Sequence, residues 1–233
     1  MIVSHKHQFI FIKTKKTAGT SLEIALSRYC GTADIITPLP EPDRTLRKEF
    51  GGRSEQNCEI PQRNYTLREW AKYIARGEQA TCYNHMRAGR IRWLVGRRIW
   101  KRYYKFTLER NPWDKAISLY YWRTRNLDER PEFSDFLRSS RAHKLSNFKL
   151  YSIFGRVAVD TVYRYEELGA ALRNIEHTVG LPGTLEMPET KTGHRKERAH
   201  YSEFINDEDR QYIARRCKRE IDLLNYAFHT RGE

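Results

Sequence analysis

Apolar and polar positions along the chain alternate in a way that predicts strands, each running into a loop and then a helix. Gln8 to Lys13 is β-rich, with the apolar run Phe9-Ile10-Phe11-Ile12, and it ends in the polar turn Thr14-Lys15-Lys16-Thr17-Ala18-Gly19-Thr20. From Ser21 onward apolar residues at 22, 25 and 26 take up helical spacing, and Gly31 stops that helix. Residues 32–64 hold Pro38, Pro40, Pro42, Pro61 and the Gly51-Gly52 pair with little periodicity, which predicts a long loop or irregular insertion and a substrate-side flap. A helix is expected from Leu67 to Arg76, then a short strand from Ala80 to Asn84 leading to His85, then a helix from Arg87 to Trp100 with Ile91, Leu94, Val95 and Ile99 on one side.

Tyr103 to Leu108 is a second clear strand. It runs into Glu109-Arg110-Asn111-Pro112, where Pro112 suits the first turn of a helix carrying Ile117, Leu119, Tyr120 and Tyr121. Asp135–Arg138 and Leu145–Phe154 read as helical. Val157–Tyr165 reads as an apolar strand, followed by a helix from Glu166 to Val179 that ends at Gly180. After a polar loop over 182–200, Asp207–Leu224 forms the last helix.

This order predicts one α/β domain over residues 1–233, a P-loop-like three-layer fold with a central, mostly parallel sheet flanked by helices. In such sheets ligands bind at the carboxyl ends of the strands. The Lys13–Ser21 turn, His85 and Arg110 all follow an expected strand end, so the same crevice is expected to gather them.

Composition sets the surroundings of that crevice. The chain has 43 Lys and Arg against 29 Asp and Glu, a formal charge of +14, which attracts polyanions without choosing among them. No apolar run is long enough for a signal-peptide core or a membrane span, so a cytoplasmic protein is expected. Cys30, Cys58, Cys82 and Cys217 form no C-x-x-C pair and are expected to be reduced thiols. The eight histidines are scattered without ligand spacing, and no metal is implied.

Small residues in Lys15-Lys16-Thr17-Ala18-Gly19-Thr20-Ser21 let a backbone approach a phosphate, and hydroxyls at 17, 20 and 21 offer further donors. This is not a Walker A loop, because Lys16 precedes the single glycine instead of following a second one. Taken alone, the turn is equally an ordinary lysine-rich connection between a strand and a helix.

A second element separates these readings. The run Arg110-Asn111-Pro112 through Ser118 and Tyr120 has the form R-N-P-x-x-x-x-x-S-x-Y. Together with the Lys16–Ser21 loop it resembles the two nucleotide-binding motifs of sulfotransferases that use 3′-phosphoadenosine 5′-phosphosulfate (PAPS). The stretch from His85 through Tyr104-Lys105-Phe106 to Arg110 is similar to the carbohydrate-type branch, called family 2. Tyr163-Arg164-Tyr165-Glu166-Glu167-Leu168 resembles that family's strand-to-helix segment, and the likeness continues through His200–Phe204 to Phe228. It implies that Lys15, Lys16, Thr17, Ala18, Gly19, Thr20 and Ser21 hold the 5′-phosphosulfate and that Arg110 and Ser118 hold the 3′-phosphate. It further implies that Arg195 and Lys196 lie in a loop able to close over the nucleotide. Lys16 would neutralise charge on the departing phosphate. His85 is the first candidate for the base that accepts the acceptor's proton, and Glu109 the second. Lys15 stands where the family usually has proline. The implied partners are PAPS, its product adenosine 3′,5′-bisphosphate, and a glycan or other hydroxyl acceptor.

Two rival readings remain. One is a P-loop nucleotide phosphotransferase, weakened by the missing Walker A order. The other is a basic nucleic-acid-binding module, in which Arg87, Arg90, Arg92, Arg97, Arg98, Lys101 and Arg102 alternate with Trp93, Trp100, Tyr103 and Tyr104.

Overall fold

The computed structural model describes residues 1–142, 144–188 and 200–230, without the side chain of Arg141. Its centre is a five-stranded sheet. Strands β1 (Ile2–Ser4), β2 (Phe9–Phe11) and β3 (Ile35–Ile36) form one side, and β4 (Tyr104–Glu109) joins them. A two-stranded hairpin of β5 (Ser152–Ile153) and β6 (Arg156–Val157) stands apart from it, and β7 (Thr161–Arg164) closes the order β3-β1-β2-β4-β7. β2, β4 and β7 are mutually parallel. β1 is antiparallel to both β2 and β3, so the sheet is mixed and its parallel character is confined to the central and β7 side. Three residues at Ile2–Ser4 are too few to show a period, which is why the expectation of a mostly parallel sheet misses this antiparallel hairpin.

The pleat explains why both faces are covered. Ile2, Phe9, Phe11, Ile36, Phe106 and Leu108 point to one side, against Leu22, Ala25 and Leu26 of α1 (Gly19–Ser27). Met1, Val3, Ile10 and Ile12 point to the other, against Ile60, Tyr65, Cys82 and Met86. Successive residues of one strand thus fill two different cores. Helix α2 (Asp43–Glu49) and the capped helix α3 (Leu67–Arg76) precede α4 (Ala88–Arg102), whose Ile91 and Trp100 complete the second core. Helices α5 (Pro112–Arg123), α6 (Phe133–Arg138) and the single turn α7 (Phe148–Tyr151) follow β4. α8 (Leu168–Val179) adds Ile175 and Val179 to the first core, and α9 (Asp207–Arg216) and α10 (Lys218–Leu224) pack with α5 and α6 in a third cluster.

Several expectations change. Ala80–Asn84 is no sheet strand: only a single bridge joins Thr81 to Glu59, so His85 does not follow a strand of the central sheet. Leu145–Phe154 is helical only over Phe148–Tyr151 before it turns into the hairpin. The last helix is broken at Cys217. Residues 32–64 carry more order than expected: they supply β3 and α2, and they bury Asp34, Thr37 and Arg47.

Arg47 is buried for an electrostatic reason. Glu23, fully buried on α1, meets Lys13 Nζ at 2.9 Å, Arg47 Nη2 at 2.9 Å and the Met1 amine at 3.1 Å. Burial pushes the Glu23 carboxyl up, but Lys13, the amine and Arg47 outweigh it and hold it at about 2. Removing the shared anion strands two buried cations, Lys13 and Arg47, while burial lowers the Met1 amine to about 5 and keeps it neutral at pH 7. Glu23→Ala is therefore expected to destabilise the fold by about 3–5 kcal/mol, the usual cost of breaking a buried ion pair. Urea denaturation checks this, and a midpoint close to the parent's would contradict it.

Candidate functional site

The loop between β2 and α1 is built by hydroxyls and one amide side chain. Thr14 Oγ1 donates to the Leu108 carbonyl, and the Thr14 and Thr17 hydroxyls lie 2.9 Å apart, which ties the loop to the end of β4. Asn147, fully buried, brackets Lys15: its Oδ1 accepts from Lys15 N at 3.1 Å and its Nδ2 donates to Lys15 O at 3.0 Å. Lys16 and Ala18 have positive φ (61° and 57°), a turn geometry in which successive N–H groups converge on an anion. Gly19 keeps the turn close, since a Cβ there would crowd Lys13 Cγ at 3.0 Å and the Thr14 carbonyl at 3.2 Å. The first helical bond runs from Leu22 N to Ala18 O, so the amides just before Leu22 lie outside the ladder of α1, at its positive end.

The second motif reaches the same loop. Pro112 begins α5 and Asn111 caps it, accepting from Trp113 N at 3.1 Å. Arg110 is clamped by Asp114 one turn later, through Nε at 2.7 Å and Nη2 at 2.6 Å. Its guanidinium stacks on the Tyr165 ring at 4.5 Å, and Nη1 comes within 3.5 Å of the Lys16 carbonyl. Ser118 is half-buried one turn beyond Asp114, on the same stripe of α5. The Lys16 turn and Arg110 are therefore brought together, as their shared position at strand ends requires.

His85 joins them by a different route. Its backbone is left-handed (φ 60°) and its Nδ1 lies 3.1 Å from the Lys13 carbonyl. A carbonyl only accepts, so Nδ1 carries the proton and Nε2 keeps a lone pair. Burial, and then the charge of Lys13, press the imidazole down to about 4, so it is neutral at pH 7. The sign follows directly: its folded value lies below the ordinary 6.5. Its contribution to stability is complete above the ordinary value and is lost as pH falls toward the folded one.

Glu109 is placed differently from the expectation of a second base. It is fully buried, accepts from Lys115 Nζ at 2.7 Å and from Asn147 Nδ2 at 3.2 Å, and burial pushes its carboxyl up. A carboxylate sealed from solvent and committed to these groups does not meet an incoming hydroxyl; through Asn147 it positions Lys15. Neither Asn147 nor Lys115 stands out in the sequence, because nothing in a lone Asn or a helical Lys signals a contact across the fold. Arg195 and Lys196 lie outside the described residues.

Around the loop, positive charge is concentrated. Burial chiefly, then Lys144, Arg123 and Arg87, lower Lys15 to about 8. Three cations surround the Trp122 ring: Lys16 at 5.5 Å, Arg123 at 4.9 Å and Arg125 at 4.7 Å. Arg87 also lines a cleft of about 620 Å³ with Tyr83, Arg68, Arg90, Lys149 and Phe154. Tyr83 is half exposed and Phe154 almost wholly so, which leaves two aromatic surfaces and several cations at one opening, to which the chain contributes Tyr83 and Arg87 from either side of His85 in sequence.

A family model described as "Sulfotransferase family" matches residues 1–227. An uncharacterized protein of Archaeoglobus fulgidus is 32% identical over 106 residues, which is 44% of this chain and 88% of that protein. No solved structure matches the chain. No helix among the described residues is long and apolar enough to cross a membrane.

Proposed function

The chain belongs to the sulfotransferase family, and from that premise we propose that it moves a sulfuryl group from PAPS to a hydroxyl on a carbohydrate acceptor. The family match lends no support to the nucleotide phosphotransferase or to the nucleic-acid-binding module. One observation supports the proposal: Arg110, held by Asp114 and Tyr165, brings Nη1 within 3.5 Å of the Lys16 carbonyl, so two motifs far apart in sequence meet. Backbone amides at Ala18–Ser21 beside the Arg110 guanidinium would suit a nucleotide carrying anionic groups at both its 5′ and 3′ positions.

In this reading the amides of Ala18, Gly19, Thr20 and Ser21 hold the 5′-phosphosulfate, while the Thr17 hydroxyl, expected there too, is fully buried against Thr14 and shapes the turn instead. Arg110 and Ser118 hold the 3′-phosphate. Lys15 adds charge at the loop, and Lys16 neutralises the phosphate oxygen as it departs. The acceptor oxygen forms its bond to sulfur while the bond from sulfur to the 5′-phosphate oxygen breaks, and His85 Nε2 takes the acceptor's proton. The cleft at Tyr83, Arg87 and Phe154 receives the acceptor; flat aromatic surfaces beside cations suit sugar rings bearing acidic groups.

Incubation with donor labelled in the sulfuryl group tests this reading. Label is expected to pass to an acidic oligosaccharide and adenosine 3′,5′-bisphosphate to accumulate in equal amount. No transfer to any member of a panel of neutral and acidic glycans would contradict it. Arg110→Ala is expected to weaken binding of the bisphosphate by about 10- to 100-fold, the worth of charge-assisted hydrogen bonds, while binding of adenosine 5′-monophosphate stays close to the parent's. Equal losses for both nucleotides, measured by calorimetry, would remove Arg110 from the 3′-phosphate.

A further inference from the structure

The four cysteines are not equivalent. Cys30 and Cys217 are buried in separate clusters, Cys30 beside α1 and Cys217 between α9 and α10. Cys58 and Cys82 instead meet across the short bridged ladder that brings the chain back toward His85. Cys82 N donates to Cys58 O at 2.7 Å and Ile60 N to Ala80 O at 2.8 Å, framing the bridge between Glu59 and Thr81. Cys58 and Cys82 are therefore directly opposed residues of an antiparallel pair, and opposed side chains project to the same face. One bond of this pair is made, Cys82 N to Cys58 O, and directly opposed Cα atoms of antiparallel chains lie about 4.5–5.5 Å apart, inside the range a disulfide spans.

From this register we infer that Cys58 and Cys82 are a dithiol that closes to a disulfide, a covalent modification site at the wall of the cleft lined by Tyr83 and Arg87. The two thiols differ as an attacking and a resolving sulfur must. Cys58 is half-buried and Cys82 almost fully buried, so only the first is open to an external oxidant. Hydrogen bonding from Cys82 lowers the Cys58 thiol, while the same contact and burial raise Cys82.

The chemistry balances with a small disulfide such as oxidised glutathione. The Cys58 thiolate attacks one of its sulfurs, the glutathione S–S bond breaks, and one glutathione leaves as thiolate and takes up a proton. Cys82 then loses its proton, its sulfur attacks the Cys58 sulfur of the mixed disulfide, and the second glutathione leaves. The protein loses two protons and two electrons, and the glutathione disulfide gains both. The closed loop contains α3 and the cleft residues Thr66, Arg68 and Glu69, and Tyr83 follows Cys82 directly. The bond would therefore stiffen one wall of the cleft and leave the Lys16 loop and Arg110 outside the ring.

The test is oxidation of the folded full chain with oxidised glutathione, followed by intact mass, thiol titration after denaturation, and peptide mapping. The expected product is lighter by two hydrogens, retains two of its four thiols, and gives one peptide linking Cys58 to Cys82. Cys58→Ser and, separately, Cys82→Ala are expected to abolish that product, whereas Cys30→Ser and Cys217→Ser leave it intact. Four thiols still titrating, a persistent glutathione adduct, or a link between any other pair would overturn the inference. A second readout rests on the proposed transfer activity: oxidation is expected to change the KM for acceptor by several-fold with bisphosphate affinity unaltered. The mass readout needs no activity, so failure of the disulfide and failure of the sulfotransferase assignment are distinguishable.

Discussion

His85→Gln is expected to lower the turnover of sulfuryl transfer by about 10²- to 10⁴-fold, the range general-base catalysis supplies. Glutamine removes the imidazole lone pair, and His85→Asn, whose Nδ2 takes the place of Nδ1 on the Lys13 carbonyl, separates loss of the base from loss of that anchor. The pH profile separates base from scaffold. Because burial and Lys13 depress the imidazole to about 4, the parent enzyme should hold its activity from neutral pH down through mildly acidic pH and lose it only as His85 protonates. In the variant that acidic limb should disappear along with the rate. Turnover within a few-fold of the parent would remove His85 from the reaction, since Glu109 is sealed and committed to Lys115 and no second base would need to be lost.

Lys16→Ala is expected to cost about 10²- to 10³-fold in turnover, the usual effect of deleting one group that stabilises charge developing on a leaving oxygen. Its affinity for adenosine 3′,5′-bisphosphate should fall far less, because the amides of the α1 turn and Arg110 remain in place. The loop does not depend on the Lys16 side chain for its shape: Asn147 brackets Lys15, and the Thr14 and Thr17 hydroxyls tie the turn to Leu108. The ammonium lies over the Trp122 ring at 5.5 Å. A variant that loses nucleotide affinity and turnover in equal proportion would show Lys16 to be a binding group with no special part in the chemical step.

Much of this site is legible in the chain because its parts are local. Lys16, Ala18 and Gly19 sit between a strand and a helix that each announce themselves by period, and Pro112 marks the start of α5 without any knowledge of the fold. What escapes reading depends on distant partners. Glu23 looks like one polar residue on a helix until Lys13, Arg47 and the Met1 amine are folded onto it. Asn147 is an unremarkable loop residue whose importance comes from Lys15 and Glu109, far away in sequence. Ala80–Asn84 has the composition of a strand yet makes only a bridge to Glu59, while the open edge of β3 is met by Gln56 through its bridge to Ile36. His85 reaches the loop through the Lys13 carbonyl instead of through a strand end, a contact that no local pattern around His85 encodes.

The most direct test of the shared nucleotide space is calorimetric titration of the unmodified protein with adenosine 3′,5′-bisphosphate, against adenosine 5′-monophosphate and adenosine 5′-diphosphate. If the α1 turn and Arg110 grip the two ends of one molecule, the bisphosphate binds at a single site and at least about 10-fold more tightly than either comparison nucleotide, whose phosphates lie at one end only. Equal affinity for all three, or no heat for the bisphosphate, would contradict that arrangement.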